Sequence, residues 1–214
     1  MELKPLIEKV LTADEQKQLT PQEIIQSLKE GNQRFISGNL TLRDHSKQIR
    51  AAVKGQYPKA IILSCIDSRV PVEDVFDKGI GDLFVARVAG NIVNEDILGS
   101  MEFSCKVAGA KVVLVIGHEH CGAIKGAIGN VELGNLTALL NRIKPAIERC
   151  AGFAGEQTSD NYKFVDMVIR ENVNVAVENI RKHSPILNDM EQKGEIMILG
   201  SYYDMDNGQV TFFE

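Results

Sequence analysis

Four short apolar runs, each separated from the next by residues with helical periodicity, constrain the fold of this chain more than any other feature. They are Ala60-Ile61-Ile62-Leu63-Ser64, Leu83 to Val88, Lys111 to Ile116 with Val112, Val113, Leu114 and Val115, and Ile196 to Tyr203. Short runs without polar alternation suit strands buried on both faces, as in parallel sheets covered by helices. Between the runs, Ile97, Met101, Cys105 and Ala108 recur at helical spacing behind Asn94-Glu95-Asp96, an N-cap with acids in the first turn. That helix should end near Gly109. Leu136, Leu139, Leu140, Ile143, Ile147 and Cys150 form a second stripe, which Pro145 should kink or restart. After a glycine-containing loop between Ala151 and Ser159, Val165, Ile169, Val173, Ala176 and Ile180 mark a long helix that stops before Pro185. The alternation predicts an α/β fold with a mainly parallel central sheet flanked by helices.

The two ends add a helix and a hairpin. Thr20-Pro21-Gln22-Glu23 reads as a capping box with proline at the first helical position, so a helix is expected from Pro21 to Ser37 along Ile24, Leu28 and Phe35. The residues before it fit either a separate short helix or an arm lying on a partner subunit. Gln209 to Phe213, joined to the fourth run around Asp206-Asn207-Gly208, predicts a C-terminal hairpin. At 214 residues the chain is expected to be one domain, with an N-terminal helical arm over 1–37 and an α/β core over 58–214. No internal repeat interrupts it.

Charge excludes several function classes. With 24 basic and 29 acidic residues the net charge is -5, and neither sign gathers into a run that would fit nucleic acid or a membrane surface. No stretch approaches the roughly 20 apolar residues of a membrane span, and Met1-Glu2-Leu3-Lys4-Pro5 lacks the pattern of a secretory leader. A soluble cytoplasmic protein is expected.

Four cysteines, at 65, 105, 121 and 150, are too few for a disulfide scaffold of this length. Cys105 and Cys150 lie on helical stripes and are expected in the core. Cys65 and the pair His118 and Cys121 instead follow two apolar runs, at the carboxyl ends where ligands collect in such sheets. Adjacent parallel strands would bring them together. Two thiolates and an imidazole are ligands zinc accepts, and three protein ligands leave a fourth position open, as in catalytic sites where zinc lowers the pKa of water from ~15.7 to about 7. Spacing alone also allows His120 in place of His118. Cys121 precedes an expected helix start at Ala123 to Ile128, where the helix dipole favours a thiolate. Asp67 and Arg69 share the Cys65 loop, and the guanidinium should keep the carboxyl ionised. Such a carboxylate could accept the hydrogen bond of a zinc-bound hydroxide, or become a fourth ligand until Arg69 draws it away. Other motifs fail: Gly117 to Gly122 has phosphate-loop spacing but Ala123 where lysine is required, and His118-Glu119 lacks a histidine at 122.

Cys65-x-Asp67-x-Arg69, then Ala86-Arg87-Val88-Ala89-Gly90-Asn91, then Gly117-His118-x-x-Cys121-Gly122-Ala123 resembles the β-class carbonic anhydrases from about Thr20 to the end. Ser201-Tyr202-Tyr203-Asp204 with Gly208-Gln209-Val210 resembles that family's closing hairpin. The resemblance implies one zinc per chain on Cys65, His118 and Cys121, attack of zinc-bound hydroxide on carbon dioxide with the Asp67-Arg69 dyad orienting it, and a site near a dimer interface in a homodimer or dimer of dimers. It implies binding of carbon dioxide, bicarbonate and inhibitory anions, with Gln56, Phe84, Phe103 and Gly122 in the substrate pocket, as in the plant-like branch. Phe103 stands where that branch usually has tyrosine. The chain has no tryptophan, which the bicarbonate pocket of the allosteric branch requires. His120, His45 or buffer could serve as the proton shuttle. The competing expectations are hydrolysis of carbon disulfide or carbonyl sulfide on the same fold, and a non-catalytic zinc or thiol-redox role.

Overall fold

In a computed structural model, which describes residues 5–213, β1 (Ala60–Ser64), β2 (Leu83–Arg87), β3 (Val112–His118), β4 (Met197–Tyr203) and β5 (Val210–Phe212) form one sheet. Its order is β2-β1-β3-β4-β5. The neighbours β2-β1, β1-β3 and β3-β4 are parallel, and β4 and β5 form the antiparallel C-terminal hairpin. The chain adds β2 on one side of β1 and β3 on the other, so the connections diverge between β1 and β3. A crevice opens at such a switch point, outside the carboxyl ends of the strands.

Each strand sends alternate residues to opposite faces. Ile61, Leu63, Val113 and Val115 pack against Met101, Cys105, Val173, Ile180 and Leu187, while Ala60, Ile62, Val112 and Leu114 pack against Ile24, Leu28, Val72, Val75 and Phe76. The described residues form the helices α1 (Ala13–Gln18), α2 (Pro21–Ile36), α3 (His45–Ala52), α4 (Val72–Val75), α5 (Glu95–Glu102), α6 (Gly122–Ile128), α7 (Gly134–Asn141), α8 (Lys144–Arg149), α9 (Tyr162–His183) and α10 (Pro185–Gln192), of which α2, α4, α5, α9 and α10 supply most of these partners. The capping box before α2 is formed, with Thr20 accepting from the Glu23 N–H and Glu23 reaching back to the Thr20 N–H. No helix among the described residues is long and apolar enough to cross a membrane.

Several local boundaries differ from the sequence expectation. Strand β3 runs on to His118, because Gly117 and His118 pair with Tyr202 and Tyr203 of β4 beyond the apolar run. The helix begun at Glu95 ends in a widened turn over Phe103–Val107, where the Ala108 N–H reaches back to the Phe103 carbonyl at 3.0 Å. Pro145 restarts the second stripe: α7 stops at Asn141, and α8 begins at Lys144 with the proline in its first turn. Helices α3, α4 and α10 were not expected. Helix α3 is mostly polar and starts on the Asp44 side chain, which accepts from Lys47 N at 3.0 Å; α4 is a single turn.

Helix α1 settles where much of the N-terminal segment lies. Gln16 donates to the Pro58 carbonyl at 2.7 Å and the Ala108 carbonyl at 2.9 Å, and Lys111 donates to the Lys17 carbonyl at 2.8 Å. From α1 onward this segment packs on its own chain, under the amino ends of the strands; residues 1–4 of the expected arm lie outside the described residues.

Candidate metal centre

The switch point holds the site. Ser64 of β1 pairs with Ile116 of β3, so Cys65 leaves the end of β1 beside Gly117 and His118, the last residues of β3. The chain then turns through Glu119 and His120, with His120 at φ 55, and delivers Cys121 as the residue before α6. The Sγ atoms of Cys65 and Cys121 and a ring nitrogen of His118 all lie within 4.8 Å of one another, and all three residues are buried. His120 is outside this group: its side chain is half exposed and its Nε2 sits 3.7 Å from Glu119 Oε1.

The His118 ring turns one nitrogen toward the two thiols. Its Nδ1 lies 2.8 Å from the Glu119 carbonyl oxygen, so Nδ1 carries the hydrogen and donates it. Nε2 then carries the lone pair, and it is buried with no hydrogen-bond partner among the described residues, at 1 % residue exposure. The two thiols are pushed in opposite directions by the hydrogen bond between them. A hydrogen bond from Cys121 acts first, against burial, with help from the Gly90 N–H at 3.3 Å, to push Cys65 down to about 4. The Cys121 thiol is pushed up by its hydrogen bond to the Cys65 thiolate and by burial, while the N–H groups of Ile124 and Ala123 at the start of α6 face it. A buried thiolate, a second thiol and an unpaired imidazole nitrogen within one ligand radius fit a soft divalent cation such as zinc.

Asp67 stands beside this group. Its Oδ1 accepts from Arg69 N and Nε at 3.0 Å each, and its Oδ2 accepts from Arg69 Nη2 at 2.8 Å while lying 3.9 Å from His118 Nε2. The Arg69 hydrogen bond is the main reason its carboxyl is held down, to about 2. Arg87, at the end of β2, fastens this loop from below: its Nε donates to the Cys65 carbonyl at 2.9 Å and its Nη2 to the Asp67 carbonyl.

The other residues named from the sequence fall in two places. Gly122 opens α6 directly after Cys121 and is exposed. Gln56 is exposed on the segment before β1, at the opposite end of that strand from Cys65. Phe84 and Phe103 pair with ring centroids 6.2 Å apart and line a groove of about 650 Å³ beside edge strand β2, whose other walls include Glu95, Asp96 and Ser100. Within one chain, then, Gln56, Phe84 and Phe103 are not brought to the thiol and imidazole cluster. Cys105 and Cys150 are buried in the core, where desolvation pushes their thiols up, Cys105 to about 12.

Three supporting residues escaped the sequence reading. Arg87 was legible only as part of a motif, because its partners are main-chain carbonyls twenty and more residues away. Asn172 sits on the buried face of α9 among Val165, Ile169, Val173 and Ala176, and donates to the Gly90 carbonyl at 2.8 Å. It thereby holds a turn with Gly90 at φ 70, a conformation glycine adopts without strain, whose N–H faces the Cys65 sulfur. A lone polar residue in an apolar helical stripe was the available signal. Gly117 is required by proximity, since a Cβ there would meet Val173 Cγ2 at 2.7 Å and Ile169 Cγ2 at 3.1 Å.

Comparison with known proteins adds independent findings. The family model described as carbonic anhydrase matches residues 60–210. Carbonic anhydrase 2 of Mycobacterium tuberculosis is 33% identical over 186 residues, covering 86% of this chain and 89% of the relative. Among solved structures, the β-carbonic anhydrase CcaA superposes with a TM-score of 0.70 at 23% identity, over 90% of this chain and 94% of the other. One of two tetrameric β-carbonic anhydrases of Sordaria macrospora gives a TM-score of 0.69 at 21% identity, over 77% and 85%.

Proposed function

The chain belongs to the carbonic anhydrase family and has the β-class fold, and we propose that it hydrates carbon dioxide reversibly to bicarbonate and a proton with zinc on Cys65, His118 and Cys121. The observation that carries the reading is the buried Nε2 of His118, unpaired and turned toward two thiols, with a guanidinium-locked carboxylate beside it. Zinc bound there supplies a Lewis acid that brings the ionisation of water from ~15.7 to about 7.

The chain's own residues then have separable tasks. Glu119 fixes the His118 tautomer through its carbonyl, and Gly90 hydrogen-bonds Cys65, so both ligands are preorganised. Asp67 stays ionised, and its Oδ2, nearer the cluster, is the acceptor that orients a reacting water by accepting its hydrogen bond while the proton stays on the water oxygen. Arg69 keeps that carboxylate in place through its two-pronged hydrogen bond and so holds it apart from the ligand set. Gly122, without a side chain, leaves the approach beside Cys121 open.

Gln56, Phe84 and Phe103 complete the substrate pocket from a partner subunit, in a homodimer or dimer of dimers. Supporting this are their distance along the fold from their own chain's cluster, the 50% exposure of Phe103 and the unpaired edge of β2 beside them. Sedimentation at micromolar concentration tests the assembly: a monomer would leave the pocket without these residues.

Activity is tested by stopped-flow carbon dioxide hydration on metal-quantified protein, with Cys65→Ser in parallel. Hydration that tracks zinc content and vanishes in the variant supports the reading. Zinc-loaded protein without hydration at any pH overturns it, and turnover of carbon disulfide or carbonyl sulfide in that case moves the reaction to those substrates.

A further inference from the structure

A second polar cavity, of about 350 Å³, lies at the opposite end of the sheet from Cys65, where Lys59 enters β1 and Lys78 and Asp82 precede β2. Lys78 is its unusual member. The residue is 8% exposed, and its Nζ donates only to Ser27, to the carbonyl at 2.9 Å and to Oγ at 2.7 Å. Among the described residues no carboxylate is in ion-pair reach of it. The carboxylates nearby are taken: Asp77 by Arg34 and Arg43, Asp82 by Lys59 at 2.7 Å, and Glu15, at the rim, by Lys9.

An amine so placed loses its proton easily. Burial first, then the charge of Lys59, push Lys78 down to about 8, with Arg34 adding to the effect and Asp82 and Asp77 opposing it. Neutral Lys78 keeps two N–H groups for Ser27 and has a free nitrogen lone pair, in a cavity where the cations of Lys9, Arg34, Arg43 and Lys59 outnumber the carboxylates of Glu15, Asp77 and Asp82 that pair with them.

We propose that Lys78 is a carbon dioxide acceptor, forming a carbamate whose carboxylate shares the cationic groups of Arg34, Arg43 and Lys59 with Asp77 and Asp82. The nitrogen lone pair forms a bond to the carbon of carbon dioxide, one carbon–oxygen π pair moves onto oxygen, and the nitrogen releases one proton to buffer. No oxidant, reductant or metal is needed. One N–H remains for Ser27. The proposal rests on the carbon dioxide reading above for its reactant, and it places a response to carbon dioxide at a site remote from the metal cluster.

The test is chemical trapping. Full-length protein is equilibrated with isotopically labelled bicarbonate at pH 8, treated with triethyloxonium to convert carbamates to ethyl carbamates, and digested for mass spectrometry. At that pH an amine with pKa about 8 is half neutral, whereas an ordinary lysine near 10.4 is only about 0.4% neutral. Label on Lys78 should therefore exceed that on exposed lysines such as Lys163 by on the order of a hundredfold. Lys59→Gln should lower the Lys78 label, and the chain's α-amine, which titrates near ~7.7–8.0, is the internal positive control. A labelled α-amine with Lys78 no more labelled than exposed lysines overturns the proposal. Cys65→Ser separates the two readings, because carbon dioxide and bicarbonate equilibrate without an enzyme: Lys78 should still be labelled when hydration is lost, and loss of the label there would also overturn it.

Discussion

Replacing Asn172 tests whether the thiol and imidazole cluster of Cys65, His118 and Cys121 is held together from outside. In the native fold Asn172 Nδ2 donates to the Gly90 carbonyl at 2.8 Å, and the Gly90 N–H in turn donates to Cys65 Sγ at 3.3 Å. Asn172→Ala leaves a buried carbonyl unpaired, at a cost of about 1–3 kcal/mol, and opens a cavity worth about 1 kcal/mol more. The expected destabilisation is about 2–4 kcal/mol, which at a urea slope of about 3 kcal/mol/M for a chain this long lowers the midpoint by roughly 1 M. Asn172→Leu removes the same donor while filling the space, so it should lose only the first of these contributions. Zinc affinity should fall in both variants by about 10–100-fold, because it depends on the Gly90 turn and not on volume. Urea unfolding of the apo forms and competition with a chromophoric chelator measure the two quantities separately. If both variants bind zinc as the wild type does, Asn172 does not position Cys65 and the coupling is refuted, whatever the stability change.

Three further outcomes follow from the same geometry. Arg69→Leu removes the hydrogen bonds that hold the Asp67 carboxyl near 2, so its titration, followed by NMR, should move up toward ~3.9 and hydration should fall, while stability changes by less than about 1 kcal/mol because the guanidinium is 57% exposed. Gly117→Ala should destabilise by about 1–3 kcal/mol, since the new methyl meets Val173 at 2.7 Å; a melting temperature equal to wild type would show that α9 yields freely. For Asp77, burial favours protonation, but Thr41, Arg34 and Arg43 win and hold the folded-state carboxyl below its usual range. Its stabilising contribution is therefore present above the unfolded value of ~3.9 and is lost as pH falls below it, so acid unfolding should steepen below about pH 4 and Asp77→Asn should remove that component.

The sequence alone determined the sheet and the identity of the cluster. Runs such as Ile61-Ile62-Leu63 and Val112 to Val115, short and bounded by polar turns, suit strands covered on both faces, and the stripe through Val165, Ile169 and Val173 marks the helix that covers one of those faces. Thiols at the ends of two such runs, with His118 between them, pointed to metal because ligands gather at strand carboxyl ends. What the sequence left open depended on groups with no side-chain pattern. The choice of His118 over His120 was made by pairing of β3 with β4 through His118 and by the Glu119 carbonyl, both main-chain matters. The polar helix α3 and the one-turn α4 have too little apolar periodicity to read, and they form because neighbouring elements hold them. Likewise, that Arg87 and Asn172 reach main-chain carbonyls, that Gly117 lies against α9, and that Lys78 is buried beside carboxylates already paired elsewhere are facts of long-range packing. Local residue order sets which elements can form, but the distances between them, and hence which polar atom meets which, exist only once the sheet has brought distant segments together.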